Sequence, residues 1–155
     1  MRVYYEPLIW AHLVEAQELP WGGFEGWSIN RLRYLPIIGY AARSEADDSL
    51  QGTGCVAFVG GRWSGHAQGC FGISEALRAS PHSRWVHRRA LEVLALAHRT
   101  TPTVLAYVDP DIPNAREFVS RLGFVEEQES WVHYGIHDPG SGASRVVRDG
   151  ERGVD

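Results

Sequence analysis

TVLAYVDPDIPNAREFVSRLGF, residues 103–124, changes its hydrophobic period part-way along. Val104-Leu105-Ala106-Tyr107-Val108 is a short apolar run of residues that suit a pleated, buried surface, and it predicts a central strand over Thr103–Val108. Asp109-Pro110-Asp111 ends the run, because proline has no N–H to give a sheet and restricts the residue before it. Pro113-Asn114 then opens a helix on which Ala115, Phe118, Val119 and Leu122 fall at i, i+3, i+4 and i+7, a single apolar stripe at helical period. Phe118 and Leu122 are expected to face the sheet. Gly123 is suited to end the helix in a left-handed conformation, and Phe124-Val125 begins another strand. The segment reads as one compact α/β unit.

Upstream, Ser80 as cap and Pro81 as first helical residue predict a helix running to about His98. Val86, Ala90, Val93, Leu94 and Ala97 form its apolar stripe, and His82, Arg84, His87, Arg88 and Arg89 crowd its first turns. Strands are predicted near Arg2–Tyr5, Ile37–Ala42, Cys55–Val59 and His66–Ile73. Pro7 is expected in the first turn of a helix over Leu8–Ala16, and Asp47-Asp48-Ser49 with Gly52-Thr53-Gly54 in a polar turn. Gly60–Gly65 reads as a glycine-rich hairpin connection, since it lacks the Lys-Ser/Thr ending of a phosphate loop. Strand alternation puts His66, Gln68 and Cys70 on one face and Ala67, Phe71 and Ile73 on the other. The fold class is α+β: a mixed, mostly antiparallel sheet flanked by helices, in a single domain over residues 1–137. Residues 138–155 are too polar to bury a core and read as a flexible tail or a partner-ordered arm.

The chain has 155 residues, enough to bury roughly 70% of its extended surface. Its hydrophobic content of 44% and charged content of 22% are ordinary for a globular domain. A formal net charge of -4 argues against nucleic acid or an anionic membrane as partner. Cys55 and Cys70 lie in apolar runs and read as reduced core residues rather than a disulfide framework. No run is long enough for a membrane span or a signal-peptide core, so a cytoplasmic or virion setting is expected. Six tryptophans point to large apolar contacts or an interface.

Ala115-x-x-Phe118-Val119-x-x-Leu122-Gly123-Phe124, behind a strand ending near Val108, resembles the C-terminal motif of the GNAT superfamily of acyltransferases. There the pattern reads roughly N-x-x-A-x-x-[aliphatic]-Y-x-x-L-G-F. Two positions differ. Asn114 directly precedes Ala115, with Ile112 in the family's Asn slot, and Val119 stands where many members carry the tyrosine that protonates the departing CoA thiolate. The resemblance implies direct transfer of an acetyl group from acetyl-CoA to a primary amine of a small molecule or protein, without a covalent enzyme intermediate. In its loose motif preservation the chain also resembles divergent acyltransferase-like proteins of bacteriophages. The alternative is a non-catalytic protein of the same fold, serving as a structural or interaction module such as a virion component, with a protein partner or a second copy.

The resemblance also assigns candidate residues. The family's pyrophosphate loop, R/Q-x-x-G-x-G/A, aligns with His82–His87, where Trp85 and His87 replace both glycines. Arg84, Trp85, Val86, His87 and Arg88, with Asn114, are the candidate cofactor contacts; the arginines are positioned to neutralise phosphates as side-chain donors. A solvated basic helix face is the plainer reading of the same residues. For the amine proton a base must titrate near neutral pH, which histidine does unperturbed. His66 and His133, on strands flanking the splayed centre of the sheet, are the candidates. Tyr134 and Tyr107 are candidates for the missing tyrosine. Pro20–Trp27 falls where the family lines its acceptor entrance, and equally reads as an aromatic-padded connector. No metal is expected, because no spacing matches a tetrahedral site.

Overall fold

The computed structural model describes residues 1–20, 29–59, 67–128 and 130–135. The strands are β1 (Val3–Pro7), β2 (Ile37–Ser44), β3 (Leu50–Ala57), β4 (Ala67–Ile73), β5 (Thr103–Ala106), β6 (Val125–Glu127) and β7 (Ser130–Tyr134). The helices are α1 (Trp10–Gln17), α2 (Ile29–Leu32), α3 (Glu75–Arg78), α4 (Ser83–Ala97) and α5 (Ala115–Arg121). One sheet holds all seven strands in the order β1-β2-β3-β4-β5-β7-β6. Every neighbouring pair is antiparallel except β4 and β5, which α3 and α4 join in parallel.

Alternation along the strands makes two apolar layers. On one face Ala90, Val93, Leu94 and Ala97 of α4, with Val119 and Leu122, pack on Tyr40, Val56, Ala67 and Val104. On the other, Leu13 and Ala16 of α1 pack on Ala41, Cys55, Ala57 and Cys70. Leu94 and Leu122 are essentially enclosed, and full burial of such a side chain contributes about 1.5–3 kcal/mol. All five stripe residues of the predicted long helix are buried, and Gly123 ends α5 with φ of 94°. Cys55 and Cys70 are opposed across β3 and β4, buried and free. Their mutual hydrogen bond, then burial, push the Cys55 thiol well up, which keeps it a thiol.

Several boundaries differ from the sequence expectation. Pro7 closes β1 rather than opening a helix; on an edge strand its missing N–H is harmless. Gly52-Thr53-Gly54 lies within β3, and the turn is made by Ser44–Ser49, with Asp48 at φ of 61°. Ser80 caps no long helix. Its Oγ accepts from the His82 N–H at 3.1 Å in a turn between α3, which the sequence did not announce, and α4. β5 stops at Ala106, two residues short of the predicted end. Phe118 is half-buried, its ring packed at the edge of both α4-side clusters.

Candidate functional site

β4 and β5 pair over only Ala67↔Val104 and Gln68↔Leu105. β4 continues to Ile73 alongside β3, whereas β5 ends at Ala106. Beyond Gln68 and Leu105 the two strands share no ladder. The β5-facing backbone groups of Gly69–Ile73 therefore have no strand partner among the described residues. Such an edge can take an extended chain that carries amides. α4 returns the chain from the end of β4 to the start of β5, so its N-terminus lies at the end of the sheet where these strands part.

Aromatic rings line the α4 side of this opening. The Phe71 ring lies back over Gly69, where an added Cβ would sit 2.9 Å from it. Phe118 of α5 meets Phe71 edge-on at 6.5 Å between centroids, and His87 of α4 meets Phe118 at 6.1 Å. Tyr107 follows β5 at the mouth and is 66% exposed. Arg78 ties α3 to the entry of α5, its Nη1 donating to the Pro113 carbonyl at 3.2 Å.

The basic end of α4 turns outward. Trp85 is 40% exposed, with the Arg84 and Arg88 guanidiniums at 5.8 and 5.5 Å from its ring centroid. Its indole thus covers side-chain stems at the surface instead of filling the helix end. Arg88 Nε is 3.5 Å from Glu92, which also holds Arg89 at 2.6 Å. Arg84 has no ion-pair partner among the described residues. In the first turn the Ser83 and Trp85 N–H groups bond to the Ser80 and His82 carbonyls, while the Arg84 N–H meets no acceptor among the described residues. Val86 is core, and only its backbone is open to a ligand.

The remaining candidates do not gather here. Asn114 is exposed at φ of 62°, just before α5, and makes no side-chain capping bond. His133 lies at the opposite end of α4, with Nδ1 2.7 Å from His98 Nε2 and Nε2 3.0 Å from the Leu122 carbonyl. Neither ring nitrogen is open to an amine. Tyr134 stands across from Thr103, at the end of β5 away from the opening. Its hydroxyl donates to Glu127, a bond that raises its pKa. His66, the Pro20–Trp27 loop from residue 21 on, and the tail lie outside the described residues.

Two groupings escaped the sequence reading. Arg43 on β2 binds Glu6 at 2.8 Å and Glu15 at 2.6 Å, and Glu6 also pairs with buried His12 at 3.0 Å. These residues are far apart in sequence, although an arginine at an inward strand position was a usable signal. A hollow of about 200 Å³ lies between α1, α2 and the start of β2, lined by Ile9, Trp10, Leu13, Leu32 and Arg33. Among the described residues no cluster of three or more His, Cys, Asp or Glu is placed to hold a metal ion, and no helix is long and apolar enough to cross a membrane.

The fold finds counterparts among solved structures. The GNAT domain of S. lividans PAT superposes with a TM-score of 0.60 at 11% identity, covering 85% of this chain and 90% of the other. A protein of Acinetobacter baylyi named as an acetyltransferase gives 0.60 at 12%, covering 86% of this chain and 93% of the other. The dodecameric spermidine N-acetyltransferase of Vibrio cholerae gives 0.56 at 14%, covering 85% and 93%. The fold is the GNAT fold. No family model and no curated sequence matches the chain, as expected where the GNAT architecture persists at 11–14% identity.

Proposed function

We propose that the protein is an acyl-CoA-dependent N-acyltransferase that moves an acetyl group from acetyl-CoA to a primary amine. The observation that carries this reading is the opening between β4 and β5. It joins an unpaired strand edge, suited to an amide-bearing arm, to a helix end bearing the unpaired Arg84. The helix end favours anions through its N–H groups and dipole, and guanidinium donors strengthen that preference. In this reading Arg84, and Arg88 once it releases Glu92, meet the phosphates, with Trp85 stacked beneath them. The Trp85 indole turns outward and does not fill the helix end, whereas the His87 ring meets Phe118 at the opening.

Tyr107, at the mouth of the opening, is the better-placed candidate to protonate the departing thiolate; Tyr134 stands at the wrong end of its strand. His66 keeps its role as candidate base. The hollow beside α1 and α2, lined by aliphatic side chains, Trp10 and Arg33, gives the acceptor a recess, and amine acetylation by the Vibrio spermidine enzyme agrees with this chemistry. A cytoplasmic setting suits such a reaction. Residues 138–155 are read as a separate tail.

A second reading, a non-catalytic module or virion component, is favoured by Phe71, Phe118 and His87 packing into the opening and by Val119 in the tyrosine slot. Acetyl-CoA binding separates the two. At about a hundred times its dissociation constant, acetyl-CoA stabilises the enzyme by roughly 2.7 kcal/mol, and an amine acceptor is consumed in its presence. A flat thermal titration at millimolar acetyl-CoA refutes the enzyme reading.

A further inference from the structure

At the far end of α4 from the opening, two histidines meet. His98, the residue that ends α4, places Nδ1 3.0 Å from the Thr101 carbonyl and Nε2 2.7 Å from His133 Nδ1. His133, on β7, places Nε2 3.0 Å from the carbonyl of Leu122, the residue that ends α5. The ring centroids lie 4.9 Å apart with the planes 27° from parallel, an end-to-end arrangement, and Phe124 closes the His133 side edge-on at 5.0 Å.

Proton counting decides the state of this chain of contacts. A carbonyl only accepts, so His98 Nδ1 and His133 Nε2 must each carry a hydrogen. Two neutral imidazoles have no further N–H, and the inner nitrogens would then face each other as lone pairs at 2.7 Å. Moving one hydrogen inward satisfies that contact but turns an outer nitrogen's lone pair against a carbonyl oxygen. Two imidazolium rings fail in the opposite sense, with two N–H groups opposed. One extra proton, and only one, satisfies all three contacts.

We propose that His98 and His133 hold a single shared proton, and that this imidazole–imidazolium pair clamps the C-terminal ends of α4 and α5 to β7.

The surroundings fit one positive charge. Helix C-terminal carbonyls favour a cation, and two helix ends converge here. The charged groups on the packed elements are otherwise engaged or turned outward: Arg121 with Glu117, Glu126 with Arg116, Glu127 with Tyr134, and Arg99 exposed. No carboxylate bonds to either ring among the described residues. The His133 pKa is lowered, first by burial and then by the His98 ring, with the Leu122 carbonyl opposing; the His98 contribution is the repulsion that keeps both rings from charging together.

The pH dependence has two arms. The second proton binds the folded pair below the free-histidine value of about 6.5, so stability falls as pH drops through that lower step. The shared proton is lost from the folded pair as pH rises, and the stability it contributes is lost with it. The pair, rather than either ring, owns both steps.

The test is a pH titration of ring 15N–1H correlations in the full-length chain, assigned with His98→Gln and His133→Gln. The expected result is N–H at both outer nitrogens through neutral pH, one exchange-protected proton between the inner ones, and two steps bracketing that of histidine in a short peptide. In His98→Gln the lone His133 ring titrates in one step. Neutral tautomers on both rings at neutral pH, or two coincident steps at the free-histidine value, overturn the proposal. If neither variant folds, the two ring systems are assigned in the unmodified chain through their contacts with Phe124 and Gly135, and the same criteria apply.

Discussion

Phe118→Ala tests the packing of α5 and the opening together. Phenylalanine-to-alanine changes at enclosed core sites cost about 3–5 kcal/mol. Phe118 is only half-buried, so its share of that loss is about half, or roughly 2 kcal/mol. Its edge contacts with Phe71 and His87 fall within that figure, since such a pair contributes about 0.5–1.5 kcal/mol. In a domain of this size about 2 kcal/mol lowers the melting temperature by roughly 4–8 °C. Thermal and urea unfolding measure this directly. The same variant clears the ring that stands between α5 and Phe71, so acetyl-CoA should produce a thermal shift at least as large as in the unmodified chain. A loss below about 0.5 kcal/mol, the range of an ordinary surface substitution, would refute the packing. A normal stability loss with an abolished acetyl-CoA shift would mean that Phe118 contacts the ligand instead of obstructing it.

Gly54→Ala should destabilise by at least about 2 kcal/mol, because its Cβ would lie 2.5 Å from the buried Tyr40 ring; unfolding of the single variant and of Gly54→Ala with Tyr40→Leu checks whether the smaller side chain rescues it. Arg43→Ala should cost about 1–3 kcal/mol by denaturant unfolding, since it leaves Glu6 and Glu15 together without their shared, mostly enclosed cation. Arg84→Ala should weaken acetyl-CoA binding more than Arg88→Ala, which already shares Glu92, and Arg121→Ala serves as a basic control at α5; titration calorimetry gives the order. Tyr107→Phe should lower the rate of acetyl transfer while leaving the acetyl-CoA thermal shift intact, and equal loss in both would remove its role as proton donor.

The sequence spoke plainly wherever one period dominated. The Val86–Ala97 stripe mapped to a buried helix face and the Ala115–Leu122 stripe to one buried at Val119 and Leu122 and half-buried at Ala115 and Phe118, and the same period also puts Trp85 off the first stripe, as its exposure shows. Glycine misled at Gly52–Gly54. Its turn preference is local, whereas the reason for Gly54 is the Tyr40 ring lying on it from the neighbouring strand. Ser80-Pro81 carried a sound local helix signal, but the one-turn α3 just before it used the space and moved the start of α4 to Ser83. The opening was anticipated from the family resemblance; its lining by Phe71, Phe118 and His87 depends on three separate elements. His133 was visible as a strand histidine, yet its partner His98 is fixed by a crossover that no spacing rule reports.

The sheet ends in two strands whose outer backbone groups have no strand neighbour among the described residues, β1 and β6. β1 closes on Pro7, which offers no N–H to an incoming chain. β6 is only three residues long, is exposed throughout, and bears Glu126 and Glu127 beside the apolar Val125. Two copies approaching edge to edge would bring four carboxylates together, a repulsion that salt screens and acid removes. Colloidal behaviour should therefore depend on a very short piece of chain: concentrated protein stays dispersed at low salt, and self-association at β6 begins once salt screens its glutamates.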